Sequence, residues 1–355
     1  MVKMNMRCPE IADLPPPPAG RNGWPWTEGT TRLQDRMADG SPWPRISIVT
    51  PSFNQRPFLE EAIRSVLLQG YPDLEYLIID GGSEDGSVGI IKKYSKWLYF
   101  WTSKKDVGQS HALNKGFSKT SGDICAYISC DDIYEPNAFR HIAHAFERSP
   151  RPDVVAGNMV IFDAKTIKSE IRSWWPDNPG YFFEKPFNYT MSQEATFYDA
   201  RFFRSMRGFD ESLHFCFDLE FGVRAGLKGA HVLCIPDYLA RFREHPDSKS
   251  TSQRVRFCEE QLQLLIKFGE ACGISGSSKR LLVRRTQCEI HYLKVFEHWK
   301  RSGRGKAWQE FARMLSCRPV AILDRRVLAQ LRRLMFFNAS EVLELKNLKT
   351  GYPPG

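Results

Sequence analysis

Two adjacent carboxylates, Asp131 and Asp132, directly follow a short, mostly apolar run at residues 124–130. A run of this length predicts a buried strand that opens into a loop, and open α/β sheets bind their ligands at such strand ends. Neighbouring acids repel each other, so a hard cation such as Mg²⁺ or Mn²⁺ is the simplest partner that keeps both ionised, and such cations hold phosphates. The alternative is a solvated loop in which one acid caps the helix that starts near Asn137.

Polar side chains also end two other predicted strands. A strand at 46–50 leads to Asn54, and a strand at 74–80 ends on Asp80. Helices predicted at 57–68, around 90–94 and from 108 alternate with these strands, and this alternation predicts a doubly wound, mostly parallel sheet. The edge that collects Asn54, Asp80 and Asp131 is the crevice where such folds bind nucleotides. The first strand is not followed by Gly-x-Gly-x-x-Gly, which disfavours a dinucleotide site.

A second acidic cluster lies in the C-terminal half of this region. Residues 218–225 predict a helix whose first turn holds Asp218 and Glu220. A helix N-terminus stabilises carboxylates, so these acids have either a chemical or a purely structural role. The aromatic stretch at 174–189 predicts either a surface on which ligand rings stack or ordinary core packing.

The composition is that of a soluble globular protein. The chain has 355 residues, of which 42% are hydrophobic and 26% are charged. Its apolar runs are too short to span a membrane, and its N-terminus lacks the apolar core of a signal peptide. The nine cysteines are scattered and never spaced Cys-x-x-Cys, which favours reduced thiols over disulfides or a zinc site. We therefore expect a cytoplasmic protein.

Composition and charge divide the chain into three segments. Residues 253–355 carry 20 Lys and Arg against 9 Asp and Glu, whereas the whole chain has a net charge of +9. We expect a Pro- and Trp-rich extension at 1–44, an α/β domain at 45–252 that divides at 135/136, and a basic helical region at 253–355. The basic region predicts either peripheral binding to the inner face of the cell membrane or a solvated helical flank. Nucleic-acid binding is disfavoured, because the surplus charge lies outside the α/β domain.

Seven motifs occur in one characteristic order between residues 45 and 250. They are TPSFNQ at 50–55, IDGGSEDGS at 79–87, DVGQ at 106–109 with ALNKG at 112–116, SCDD at 129–132, GFDE at 208–211, FDLE at 217–220 and REHPDSK at 243–249. Together they resemble the inverting, nucleotide-sugar-dependent glycosyltransferases of family 2. The resemblance implies the GT-A fold, in which helices flank a mostly parallel doubly wound sheet. It also implies a nucleotide-sugar donor and a saccharide or lipid-linked acceptor.

The same resemblance implies roles for individual residues. Asp218 matches the catalytic base, and Asp131 matches the last acid of an Asp-x-Asp motif that binds Mn²⁺ or Mg²⁺, with Asp132 and His245 as further metal contacts. Contacts with the donor or acceptor sugar fall on Gln193, Glu194 and Glu220. The implied nucleotide and donor contacts are Thr50, Pro51, Phe53, Asn54, Asp80, Ser83, Asp85, Asp106, Gly108, Gln109, Asn114, Lys115, Cys130 and Asp131.

Two departures from the family pattern affect these assignments. Ser129 replaces the first acid of Asp-x-Asp, which predicts weaker metal binding, and the Asp80–Ser83 variant leaves Asp80 or Asp85 for the base contact. The implied reaction is an in-line displacement in which Asp218 takes the acceptor proton. Two alternatives are a sugar nucleotidyltransferase, disfavoured by the lack of a Gly-rich basic loop after the first strand, and a non-catalytic saccharide-binding or scaffold protein, disfavoured by the joint presence of Asp80, Asp131 and Asp218.

Overall fold

The computed structural model describes residues 7–163, 166–184, 192–318 and 325–336. The chain forms two compact units, one of residues 1–182 and 187–248 and the other of residues 183–186 and 249–355. Each unit has its own hydrophobic core.

The N-terminal unit is built on a sheet of nine strands. The strands are β1 Ile46–Ser52, β2 Leu74–Asp80, β3 Phe100–Ser103, β4 Ile124–Tyr127, β5 Ile133–Tyr134, β6 Val154–Phe162, β7 Ile167–Ile171, β8 Thr196–Asp199 and β9 Val232–Arg243. Their order is β3-β2-β1-β4-β8-β6-β9-β5, and β7 pairs with β6. The part β3-β2-β1-β4 is parallel, and β8 joins it to β6 through antiparallel pairing.

The described residues of this unit include six α-helices, α1 Arg56–Leu67, α2 Ser87–Tyr94, α3 Gln109–Phe117, α4 Ala138–Phe146, α5 Ala200–Ser205 and α6 Phe217–Leu227. The crossovers from β1 to β2 and from β2 to β3 each carry a helix, as parallel pairing requires. The predicted fold class is confirmed: helices flank a sheet whose N-terminal half is parallel and doubly wound. Strand β6 is continuous from Val154 to Phe162, although its pairing with β9 shifts register between Ala156 and Met159.

The extension before β1 packs on this domain through its aromatic side chains. Trp26 and Trp43 are buried, and the Trp24 indole donates to the Tyr134 carbonyl at 2.9 Å. Arg64 of α1 is fully buried and donates to the carbonyls of Pro25 and Trp26 at 2.9 and 2.8 Å. A charged side chain on α1 thus satisfies backbone acceptors of the extension.

The C-terminal unit is helical. Its helices are α7 Lys249–Ser252, α8 Arg254–Phe268, α9 Gly276–Ser302, α10 Arg304–Cys317 and α11 Arg325–Phe336. A small core that includes Val295, Phe311 and Met314 joins α9 and α10. Among the described residues, none of the helices combines the length and the apolar character that crossing a bilayer requires.

Candidate active site

The acidic turn at residues 129–132 follows β4 at the carboxyl edge of the parallel strands. Asp131 Oδ2 lies 3.1 Å from Nε2 of His245, which comes from the segment after β9. The two side chains are 18% and 10% exposed, so the pair borders the crevice without being fully solvated. Two ligands at neighbouring corners of an octahedral ion are about 3 Å apart. The pair therefore fits a divalent cation whose other ligands would be phosphate oxygens and water.

Asp132 points the other way, into the interior. It is 1% exposed, and its Oδ1 accepts from the Arg243 amide at 2.8 Å. Burial raises the pKa of Asp132 well above its usual value, and the charges of Asp131 and Glu194 raise it further, against the opposing effect of Arg243. The structure thus does not bring Asp132 together with Asp131 and His245. Within the described ranges, no cluster of three or more His, Cys, Asp or Glu side chains could hold a metal ion.

Asp80 anchors the loop between β2 and α2. It is fully buried, and its carboxylate accepts from the hydroxyls of Ser83 and Ser103 at 2.6 and 2.7 Å and from the amides of Gly82 and Ser83. Asp85 accepts from the Arg56 and Ser87 amides and from the Ser87 hydroxyl. Burial opposes the effect, but these donors hold the pKa of Asp85 below its usual value. Asp80 and Asp85, the two candidates for contact with the nucleotide base, therefore already accept hydrogen bonds from groups of the chain itself.

The loop after β1 is joined to the same anchored loop. Asn54 has the left-handed φ of 51°, its amide donates to the Ser83 hydroxyl at 2.8 Å, and its Oδ1 accepts from the Glu84 amide at 2.9 Å. The Thr50 hydroxyl is buried against the Tyr76 hydroxyl at 3.1 Å, and Pro51 is buried within β1. These residues shape the crevice from within the protein.

Gly81 marks an open part of the crevice that sequence reasoning missed. A Cβ at this position would lie 2.9 Å from Asp106 Oδ2 and 3.3 Å from the Phe53 ring. Phe53 is 61% exposed, which is unusual for a large apolar side chain. An open aromatic ring beside a carboxylate, with a glycine between them, suits a nucleoside, because the ring stacks on a base and the carboxylate accepts from hydroxyls. The close approach of three chain segments explains why residue 81 is glycine.

The residues at the start of α3 and within it that were predicted to contact the nucleotide-sugar donor lie in different environments. The backbone amide of Gly108 donates to the Asp106 carboxylate at 3.0 Å. The side-chain nitrogen of Gln109 donates to the Ser129 hydroxyl at 3.3 Å, in the acidic turn. The Asn114 side chain bonds both backbone groups of Phe209, at 2.9 and 3.0 Å. Asn114 thus tethers the loop that precedes α6. Half-buried Lys115 follows it on the helix.

Cys130 lies inside the acidic turn. The residue is buried, and burial raises the pKa of its thiol well above the usual value, with the Asp131 charge acting in the same direction. The thiol is therefore neutral and contributes packing.

Three carboxylates converge near the end of β4. Asp218 lies half-buried in the first turn of α6, and Glu194 lies in the short helical turn Gln193–Ala195. Burial raises the pKa of Glu194 to about 7, and the charges of Asp218 and Asp131 contribute to the rise. Gln193 holds this turn to β4, donating to the Tyr127 carbonyl at 3.2 Å. Asp131, Glu194 and Asp218 thus share one electrostatic environment.

Glu220 is turned away from this group. It is 2% exposed, and Arg224, one helical turn on, donates to its Oε1 at 2.8 Å. Arg224 also donates to the carbonyls of Met206 and Gly208. Glu220 therefore supports the loop before α6 and does not line the crevice.

The aromatic segment lies far from the acidic turn. Ser173 is hydrogen-bonded to Asn158 and Gly157, and the Trp175 backbone is hydrogen-bonded to Cys234 near the start of β9. The acidic turn is instead connected to Arg243, at the other end of β9. Over this stretch β9 pairs with β6 from Ala156 to Phe162, six residue steps that correspond to about 20 Å of strand. Trp174 and Tyr181, whose rings pack on each other, therefore do not lie beside the acidic turn, and Phe187 and Tyr189 lie outside the described residues.

Comparisons with known proteins agree with this arrangement. Residues 47–215 match the sequence profile described as Glycosyl transferase family 2. An uncharacterized glycosyltransferase of Rickettsia typhi is 26% identical over 255 residues, which are 67% of this chain and 78% of that protein. The putative teichuronic acid biosynthesis glycosyltransferase TuaG of Bacillus subtilis is 30% identical over 110 residues, 30% of this chain and 44% of its own.

The fold is also found among solved structures. The crystal structure of S. aureus TarS 1–349 in complex with UDP superposes with a TM-score of 0.52 at 14% identity and covers 88% of this chain and 94% of that one. The same fragment in complex with UDP-GlcNAc has a TM-score of 0.52 at 13% identity, with coverage of 84% and 92%. At this identity the likeness concerns the fold.

Proposed function

Because the chain belongs to the family 2 glycosyltransferases and has their GT-A fold, we propose that it transfers a sugar from a UDP-sugar to a saccharide or lipid-linked hydroxyl with inversion. The observation that carries the proposal is the electrostatic effect of Asp131 and Asp218 on Glu194, whose neighbour Gln193 donates to the Tyr127 carbonyl at the end of β4. A binding module has no need of a carboxylate base opposite a pair of side chains suited to a cation. UDP is the nucleotide to test first, since TarS was solved with UDP and UDP-GlcNAc.

The donor would lie across the carboxyl edge of β1, β2 and β4. Phe53 and Asp106, on either side of Gly81, would contact the nucleoside. Asp131 and His245 would hold Mn²⁺ or Mg²⁺, and this ion, when bound, offsets the negative charge of the departing diphosphate. The loops that carry these residues are held by hydrogen bonds of the side chains of Asn54, Asp80, Asp85 and Asn114.

Asp218 is the proposed base. It would accept the proton of the acceptor hydroxyl as that oxygen attacks the anomeric carbon from the face opposite the leaving group, which inverts the configuration. The N-terminus of α6 stabilises the Asp218 carboxylate as an anion. Glu194, with a pKa of about 7, can hold a proton at neutral pH and so lessen the repulsion on Asp218.

The first experiment measures UDP release from a panel of UDP-sugars, with Mn²⁺, Mg²⁺ or chelator, for the parent, Asp131→Ala and Asp218→Asn. We expect slow hydrolysis of one donor that is lost with chelator and with Asp131→Ala, and transfer to acceptor that is lost with Asp218→Asn. Full transfer by Asp218→Asn would refute the base assignment. Binding of UDP without turnover of any donor, with or without glycan acceptors, would favour the saccharide-binding alternative.

We further propose a surface-polysaccharide acceptor and peripheral contact with the inner face of the cell membrane. The similarity to TuaG supports the first part. Helix α11 supports the second: Leu328 and Met335 are 46% and 47% exposed, seven residues and thus about two turns apart, and Arg325 and Arg326 are exposed beside them. Exposed apolar and basic side chains on one helix suit an anionic lipid surface.

A further inference from the structure

Arg243, the last residue of β9, holds the acidic turn at two successive positions. Its backbone amide donates to Asp132 Oδ1 at 2.8 Å, and its side-chain Nε donates to the Asp131 carbonyl at 2.8 Å. The turn itself is closed by the Asp132 amide, which donates to the Ser129 carbonyl at 3.1 Å. The direction of the Asp131 side chain therefore depends on where Arg243 lies.

The guanidinium of Arg243 is fixed by its surroundings. Its side chain is 8% exposed and lies over the rings of Phe162 and Phe58, at 4.3 and 5.2 Å from the ring centres. Nη2 is 3.0 Å from Oε2 of Glu61, whose side chain is 10% exposed. Removing one member of such a buried pair leaves the other charge uncompensated, so each holds the other in place. Glu61 and Phe58 both belong to α1.

Phe58 also links this group to His245, which together with Asp131 forms the candidate cation site. The His245 ring packs on Phe58 with the ring centres 4.7 Å apart, and its Nε2 lies 3.1 Å from Asp131 Oδ2. Phe58 thus contacts both Arg243 and His245. A shift of Arg243 would move Asp131 through the turn and His245 through β9.

Arg241, two residues earlier on the same strand, provides a natural comparison. It forms a bidentate pair with Glu135, with Nε–Oε1 and Nη2–Oε2 distances of 2.7 and 2.8 Å. This is also an arginine–glutamate pair, more exposed than that of Arg243 and Glu61, and its hydrogen bonds do not reach Asp131 or Asp132. If Arg243 only stabilised the fold, its loss and that of Arg241 would have the same kind of effect.

We propose that Arg243, anchored by Glu61, is a positioning residue that aims Asp131 and His245 at the diphosphate of the donor. The inference rests on the proposed function and adds residues to it that touch neither donor nor acceptor. It assigns α1 a role in the active site through Glu61 and Phe58.

The test compares Arg243→Met and Glu61→Gln with the matched controls Arg241→Met and Glu135→Gln in the full chain. Calorimetric binding of UDP with Mn²⁺ is measured together with kcat, KM and the Mn²⁺ concentration for half-maximal activity, and thermal midpoints are recorded. Loss of a residue that orients metal ligands costs about 10–100-fold in affinity or activity. We expect losses of this size for Arg243→Met in UDP–Mn²⁺ affinity and kcat, and changes under about threefold for Arg241→Met.

Arg243→Lys keeps the buried charge and should recover part of the binding, because an ammonium can reach Glu61 but cannot reproduce the fixed direction of Nε. If Arg243→Met fails to fold, Arg243→Lys tests the proposal in its place. Equal losses in the Arg243 and Arg241 variants at equal thermal midpoints would overturn the inference. A parent that neither binds UDP nor turns over a donor would instead refute the proposed function.

Discussion

Glu194→Gln should make the stability of the protein less dependent on pH. The pKa of Glu194 rises from 4.5 to about 7, because burial and the charges of Asp218 and Asp131 disfavour its ionised form. At pH 5 the folded protein keeps this proton, whereas the unfolded chain has largely lost it. The raised pKa therefore stabilises the parent at acidic pH, and this contribution is lost as the pH rises through about 7.

The size of the effect follows from the shift. A rise in the pKa of Glu194 from 4.5 to about 7 changes the free energy of unfolding by about 2.5 kcal/mol between pH 5 and pH 8. Because Glu194 is half-buried, solvent screens part of it, and about 1–2.5 kcal/mol is a realistic range. Glutamine has no proton to lose, so the stability difference between Glu194→Gln and the parent should shift by this amount in favour of the variant as the pH rises. In thermal midpoint the shift is about 2–10 °C.

The assay is thermal unfolding of parent and variant at pH 5 and pH 8 with chelator, so that no cation neutralises the site. Asp199→Asn is the control, since burial opposes the effect but Arg151 and two amides hold the pKa of Asp199 below its usual value. The contribution of Asp199 is lost only as the pH falls below about 4, so the cost of Asp199→Asn should be the same at both pH values. A difference between Glu194→Gln and the parent that is constant from pH 5 to pH 8 would refute the raised pKa of Glu194, and with it the proposed proton on Glu194 at neutral pH.

Three further predictions concern the two units separately. Arg64→Met should lower the free energy of unfolding by about 3 kcal/mol, since it leaves buried carbonyls of the extension without their donor, and UDP affinity, measured in parallel, should not change. Gly116→Ala should cost about 1–3 kcal/mol in a urea melt, because its Cβ would approach a Val49 methyl to 2.4 Å, whereas Gly89→Ala on α2 meets nothing within 4 Å and should be neutral or stabilising. Replacing Leu328 and Met335 together by serine should reduce co-sedimentation with vesicles rich in anionic lipid, and equal sedimentation of variant and parent would count against membrane contact through α11.

Most of the fold could be predicted from local patterns. The strands at 46–50, 74–80 and 124–129 and the helices between them were set by apolar runs of the right length and by glycine at the turns. The basic region was predicted to be helical, but the division into α9 and α10 has no clear local signal, because basic residues interrupt the apolar period there. The antiparallel insertion of β8 between β4 and β6 has no local signal, since pairing of distant segments depends on tertiary contacts.

The candidate site was predicted less completely. Sequence patterns placed acids at strand ends, but they gave no information on the donors that Asp80 and Asp85 find within the chain. Arg243 and Glu61 were not predicted as a pair, because 182 positions separate them and they share no motif. The closeness of Gly81 to Asp106 and Phe53 has no local signal, because it depends on two other loops.

The two pairs of acids show why residue type alone does not identify a chemical role. Asp131 and Asp132 are adjacent in one turn, but the Asp131 side chain lies beside His245 whereas that of Asp132 is buried. Asp218 and Glu220 are two apart on a helix, which separates them by about 200° around its axis. One acid of each pair is partly exposed, while the other is buried and held by an arginine, Asp132 by the backbone of Arg243 and Glu220 by the side chain of Arg224. The buried acids fix the turn and the helix on which the outward acids stand, so replacing a buried acid should damage the site through the position of its neighbour.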